Sequence, residues 1–263
     1  MRTPTGPPPR TGEAPRGERP TGERVRAGER LIGGRLRPGE RLIGGRLRPG
    51  ERIAFAAFGV LFAASWWHPP FPAEQLLHHS LTVIALAGLA VARRRLALPV
   101  SSVLLVLVFL ALHTIAARWI YSFVPYDAWW RAITGSTLSS TFGWHRNHFD
   151  RLVHLSYGLC LAPVLVRYFT GIRGWRPAWA AVAAAEIVLS TSAFYELFEW
   201  AIAMTLAPDA AEAYNGQQGD QWDAHKDMAI AFAGALLAAP LAAFVLRGGT
   251  RIRPRRGAPT LTG

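Results

Sequence analysis

The chain has 263 residues, of which 51% are hydrophobic and 17% charged, with a formal net charge of +12. Charged residues make up about 25% of an average soluble domain, so this composition argues against a soluble globular protein. The single cysteine, Cys160, lies in an apolar run and excludes both an intrachain disulfide and a CxxC metal motif.

The positive charge belongs to the ends. Residues 1–52 carry 13 Arg against 6 Glu, the tail from Arg247 carries 5 Arg and no acid, and residues 53–246 are neutral. These basic residues flank apolar runs and form no recognisable nucleic-acid module. They read as anchors on anionic membrane lipid, so lipids are the expected partners and nucleic acid is not. Protein partners are left open.

Residues 1–52 are rich in Arg, Gly, Pro and Glu, and the segment Gly28–Pro38 recurs as Gly39–Pro49. Such a segment buries too little apolar surface to offset its ordering entropy, so a disordered tail is expected. Six apolar runs follow: Ile53–Trp67, Leu76–Ala92, Leu96–Ala117, Leu152–Phe169, Ala178–Thr205 and Met228–Leu246. A helix rises 1.5 Å per residue and the hydrocarbon layer is roughly 30 Å thick. The third to sixth runs are long enough to cross it; the second is marginal and the first is short. The expected fold is an all-α, polytopic membrane helix bundle of about six transmembrane helices. It occupies residues 53–246 and is followed by a basic tail, 247–263.

Orientation follows from the arginines. They crowd the N-terminal tail, Arg93-Arg94-Arg95, the loop of Arg167, Arg173 and Arg176, and the C-terminal tail. The positive-inside rule then places both termini in the cytoplasm. The segment 118–151, with Trp119, Tyr121, Tyr126, Trp129, Trp130 and Trp144, suits a loop or short helix in the headgroup layer.

On this topology the ionisable residues gather at the end away from the cytoplasm. They are His113, Arg146, His148, Asp150, Arg151, His154, Glu196, Glu199, Asp220, Asp223 and Asp227. Asp150, His154 and Tyr157 form one helical stripe, Ser192, Glu196 and Glu199 a second, and Asp223 and Asp227 a third. Charged groups at membrane depth face the bundle interior and pair, so a shared polar pocket is expected. Asp150 and Asp223 also suit helix N-termini, whereas Glu196 and Glu199 oppose their own helix dipole and need a base or a metal ion. A structural ion-pair network competes with a functional site. His154, Glu196, Glu199 and Asp223 are the candidate ligands for a divalent metal. Glu186, near the middle of the fifth run, faces elsewhere and is expected to hydrogen-bond a neighbouring helix.

Three motifs stand in combination. They are Arg146-Asn147-His148-Phe149-Asp150-Arg151 with His154, then Phe194-Tyr195-Glu196-Leu197-Phe198-Glu199-Trp200, then Gln218-Gly219-Asp220-Gln221-Trp222-Asp223 with Asp227-Met228. His113-Thr114 fits the same pattern. The combination resembles the YjdF-type family of bacterial inner-membrane proteins, a domain of unknown function. It is more distantly similar to VanZ-like proteins, which are associated with glycopeptide tolerance at the cell envelope. Both resemblances imply an envelope role and neither supplies a mechanism.

The function expected is binding of a lipid or lipid-linked headgroup in the polar pocket. A membrane-embedded, metal-assisted hydrolase or transferase is the alternative, and a small transporter the second alternative.

Overall fold

The computed structural model describes residues 46–96, 98–205 and 216–250. The first copy of the repeat, most of the second, and the basic tail beyond 250 lie outside the described residues. Among those described, regular structure is all helical, in eight elements. These are α1 (Pro49–Ser65), α2 (Pro72–Leu96), α3 (Val100–Arg118), α4 (Tyr126–Thr134), α5 (Leu138–Phe142), α6 (Phe149–Gly171), α7 (Pro177–Ala203) and α8 (Asp223–Thr250).

Five helices, α2, α3, α6, α7 and α8, are long and apolar enough to cross a membrane. The second run, marginal in sequence, lies within a helix of 25 residues. Its length comes from the polar residues at either end, from Glu74 and Gln75 to Arg93-Arg94-Arg95. α1 has 17 residues, about 26 Å of helix. It is nevertheless tied to both ends of α3. Arg48, which precedes α1, donates to the Leu98 carbonyl just before α3, and Arg118 at the far end of α3 donates to the Ser65 carbonyl at 2.5 Å. α1 and α3 therefore run parallel over the same depth.

Further bonds fix the remaining directions. Gln75, early in α2, donates to the Ser65 carbonyl at 3.0 Å, and Arg93, late in α2, holds Glu51 at 2.9 Å. α2 is therefore antiparallel to α1. Arg167 at the end of α6 reaches Ser101 at the start of α3 at 2.9 Å, and Tyr157 meets Thr191 of α7 at 2.6 Å. α6 is thus antiparallel to both. α6 and α8 run parallel, with Gly158 against Ala231 and Ala235. This alternation brings the ends of α1, α3 and α7 together with the starts of α2, α6 and α8.

The core has three parts. Phe58, Leu89, Leu98, Val103, Leu107 and Leu110 fill the α1–α3 group. Small residues fill the α6–α8 group, where Ala231, Ala235, Ala239 and Ala243 repeat at every fourth position of α8 against Ala162 and Val166. Ala116, Tyr121, Val124, Phe149 and Val153 join the two. Close helix approach through small residues is how packing is gained where lipid tails are as apolar as the side chains. Gly158 and Gly234 mark the nearest approach: a Cβ on Gly158 would lie 2.0 Å from the Ala231 carbonyl oxygen, and one on Gly234 2.6 Å from that of Leu155.

Two expectations need correction. α1 begins at Pro49, so Glu51 and Arg52 belong to the helix and not to the tail. Glu51 is fully buried and held by Arg48 and Arg93, with both Arg93 contacts near 3 Å. Ionisable clustering is therefore not confined to one end of the bundle. Glu186 lies on the exposed side of α7 and does not turn toward a neighbouring helix.

Candidate functional site

The starts of α6 and α8 and the last turns of α7 carry the carboxylates to one place. α6 is entered through Asn147, whose Oδ1 accepts from the Phe149 amide at 3.0 Å and whose Nδ2 donates to the Val124 carbonyl at 2.8 Å. Gln218, at a positive φ of 48°, locks the loop before α8 onto the same residue. Its Oε1 accepts from the Asn147 amide at 2.8 Å and its Nε2 donates to the Asn147 carbonyl at 3.1 Å.

Arg146 lies at the centre. Its guanidinium grips Asp150 and Asp223 and donates to the carbonyls of Gly216 at 3.1 Å and Gln217 at 3.2 Å. Asp220 is 3.6 Å away. Arg151 reaches Asp220 at 2.8 Å and Asp223 at 3.4 Å, and Lys226 reaches Asp220 at 2.6 Å. Partial burial alone would lower the Arg146 pKa; its bond to Asp223 and the surrounding carboxylates outweigh this and raise it. The Lys226 ammonium is the main cause that holds the Asp220 carboxyl down to about 2.

Deeper along the same helices lies a second set of donors. His154 Nε2 stands 3.6 Å from Glu196 Oε1. One donor atom each from His154, Glu196 and Asp227 lie within 4.8 Å of one another, and so do one each from Asp150, Asp223 and Asp227. Asp227 belongs to both groups and is 4% exposed, and its Oδ1 is buried without a hydrogen-bond partner.

The structure thus brings together Arg146, Asp150, Arg151, His154, Glu196, Asp220, Asp223 and Asp227. Glu199, one turn beyond Tyr195 on α7, is in neither donor group, whereas Asp227 and Asp150 are. His148 stands beside Arg146 and packs on Trp144 with ring centroids 4.7 Å apart. Burial, then repulsion from Arg151 and Arg146, lowers its pKa. His113 takes different partners, the hydroxyl of Tyr121 and the His78 carbonyl.

That second cluster was not anticipated. His78, His79, Gln75 and Thr82 are buried along α2, with His79 bonded to Thr82 at 3.2 Å and near Gln75 at 3.3 Å. Their spacing of three and four residues was the available signal. A shallow cleft of about 290 Å³ opens beside the site, lined by Tyr126, Ser139, Trp144, Arg146, Asn147 and Gln218 among others. α4 and α5 frame it, and Trp129, Trp130 and Ile133 are exposed on α4.

Helices of this length and apolarity, with charge concentrated at their ends, define a polytopic helical membrane protein. Residues 50–248 match the family described as predicted membrane protein DUF2238, and the chain belongs to that family. It is similar to the inner membrane protein YjdF of Escherichia coli (strain K12), with 33% identity over 153 residues, 56% of this chain and 66% of that protein. The match spans just under two thirds of that relative's length. No solved structure matches the chain. The protein is a multi-pass protein of the bacterial inner membrane.

Proposed function

We propose that the polar end of α6, α7 and α8 binds the headgroup of an envelope lipid or lipid-linked molecule at the outer face of the membrane. The observation that carries this reading is the convergence of Asp150, His154, Glu196, Asp223 and Asp227 in two donor groups, buried or partly buried, that share Asp227. It lies next to the cleft at Arg146 and Trp144, with the aromatic side chains of α4 exposed nearby. Aromatic side chains of this kind suit the headgroup layer, and ionisable groups at membrane depth mark sites more often than packing. The arginines at the opposite end favour a cytoplasmic location for that end and for both termini.

A second reading, a membrane-embedded hydrolase or transferase, draws support from the pairing of His154 with Glu196. Such a pair supplies an acid and a base side by side.

The test is lipid retention. The purified chain in nanodiscs of phosphatidylethanolamine and phosphatidylglycerol is exchanged against an envelope-lipid extract, and retained lipid is read by mass spectrometry. Selective retention of one headgroup class, weakened in Glu196→Gln, supports the reading. A retained profile identical to the bulk lipid, and unchanged in the variant, refutes it.

A further inference from the structure

Counting charge in the cluster separates its two halves. Among the described residues, Arg146, Arg151 and Lys226 are in ion-pairing contact with Asp150, Asp220 and Asp223, so the half nearest the loop balances, three cations against three acids. The deeper half does not balance. Glu196 and Asp227 have no Arg or Lys at ion-pairing distance among the described residues, and His154 is the basic side chain that shares a donor group with both. Both carboxylates present a buried oxygen without a hydrogen-bond partner, Oε1 of Glu196 and Oδ1 of Asp227. A buried, unpaired acid is unfavourable unless a proton or a cation joins it.

We infer that His154, Glu196 and Asp227 ligate a divalent transition-metal ion, of the zinc or manganese class. Donors bonded tetrahedrally to such an ion at about 2.0–2.2 Å stand roughly 3.3–3.6 Å from one another. The separation of His154 Nε2 and Glu196 Oε1 is 3.6 Å. All three donors lie within 4.8 Å of one another, a spread that small side-chain rotations close. The imidazole selects against magnesium and calcium, which take oxygen ligands.

The competing group of Asp150, Asp223 and Asp227 is all oxygen, and the Arg146 guanidinium already serves as the cation for two of its three members. The metal therefore belongs to the half without an arginine. Two carboxylates and a neutral imidazole give a ligand set of zero net charge with a divalent ion. The inference goes beyond the headgroup-binding reading and does not need a lipid.

The full chain, purified in detergent and stripped with a chelator, is titrated with zinc or manganese alone and followed by calorimetry and elemental analysis. Magnesium and calcium serve as comparisons. The expected result is one transition-metal ion per chain, with affinity at least tenfold weaker in His154→Ala and Asp227→Asn and unchanged in Glu186→Gln, on the exposed side of α7. Cobalt loaded into the unaltered chain should give a visible d–d spectrum of mixed nitrogen and oxygen ligation, a readout that needs no variant to fold.

No stoichiometric zinc or manganese in the unaltered chain overturns the inference. So does a preference for calcium or magnesium that survives His154→Ala, which would place the ion among Asp150, Asp223 and Asp227. Because the titration contains no envelope lipid, its failure leaves the lipid-retention result untouched, and the reverse also holds.

Discussion

Asp223 and Asp227 lie one turn apart on α8, yet the guanidinium of Arg146 holds only Asp223. That one guanidinium ties α8 to the start of α6 through Asp150 and closes the loop before α8 through two carbonyls. Arg146→Ala would leave two buried carboxylates without their main cation. Removing one partner of a buried ion pair costs about 3–5 kcal/mol, and a loss of that order is expected in thermal unfolding of the full chain in detergent. Arg146→Lys should recover little, because an ammonium cannot form the fork that spans both acids. A variant that melts with the unaltered chain would show that the network is not structural.

The α6–α8 contact should be as sensitive as the ion pairs. A side chain at Gly158 would meet backbone, the Ala231 carbonyl oxygen at 2.0 Å and the Ala235 nitrogen at 2.7 Å. Neither can rotate away, so the helices must separate. Gly158→Val is expected to cost at least about 1–3 kcal/mol, the usual range for overpacking. Gly88→Ala, with nothing within 4 Å of the added carbon, is the control and should be near neutral. Equal melting of the two variants would contradict the close approach.

Much of this was legible in the sequence. The apolar runs became helices because a membrane leaves the backbone no other way to satisfy its polar groups. The common depth of Asp150, His154, Glu196 and Asp223 followed from where those runs end. Helical spacing gives depth and direction on one helix, but not how helices are rotated against each other. That is why Glu199 stood as a metal candidate and Asp227 did not. His78 and His79 went unnoticed because they lie inside a run, Leu76–Ala92, judged by its apolar residues. Glu51 was assigned to the tail because its partner, Arg93, is distant in sequence and came near only with the α1–α2 pairing.

Glu51 also ties the first turn of α1 to the end of α2. Its carboxylate accepts from Arg48, and from Arg93 Nε at 3.0 Å and Nη2 at 2.9 Å. A chain with residues 2–45 removed should still insert and fold, since no apolar run is touched. Removing residues 2–52 should not, because Arg93 and the first turn of α1 lose their partner. Glu51→Gln, which keeps the helix, is expected to cost about 1.5–3 kcal/mol, the range for hydrogen bonds to charged groups. Detergent-extracted membranes analysed by size exclusion would separate these cases. Equal recovery of both truncations would remove Glu51 from the fold.

Topology is open to a direct test. The loop at Gln217 is exposed and adjoins the acidic cluster, while Arg173 is exposed at the arginine-rich end. With both termini in the cytoplasm, a membrane-impermeant maleimide on intact spheroplasts should label Gln217→Cys and spare Arg173→Cys. A Cys160→Ala background removes the one native thiol. Labelling of Arg173→Cys alone would invert the bundle and with it the proposed outer-face site.

Acid should weaken the loop before α8. The Asp220 carboxyl is held by Lys226 at 2.6 Å and Arg151 at 2.8 Å, and these partners lower its pKa from 3.8 to about 2. Folding therefore favours the ionised form, and the unfolded chain takes up the proton more readily. The stabilisation is fully present above the unfolded value and is lost as pH falls through the folded one. The window runs from 3.8 down to about 2. Thermal midpoints of the unaltered chain and Asp220→Asn should differ at neutral pH and converge as pH falls across that window. Lys226→Ala removes the strongest partner, so the carboxyl should titrate nearer its ordinary value and convergence should be complete at a higher pH. A difference between the unaltered chain and Asp220→Asn that stays constant down to about pH 2 would mean that the Asp220 charge does not stabilise the fold.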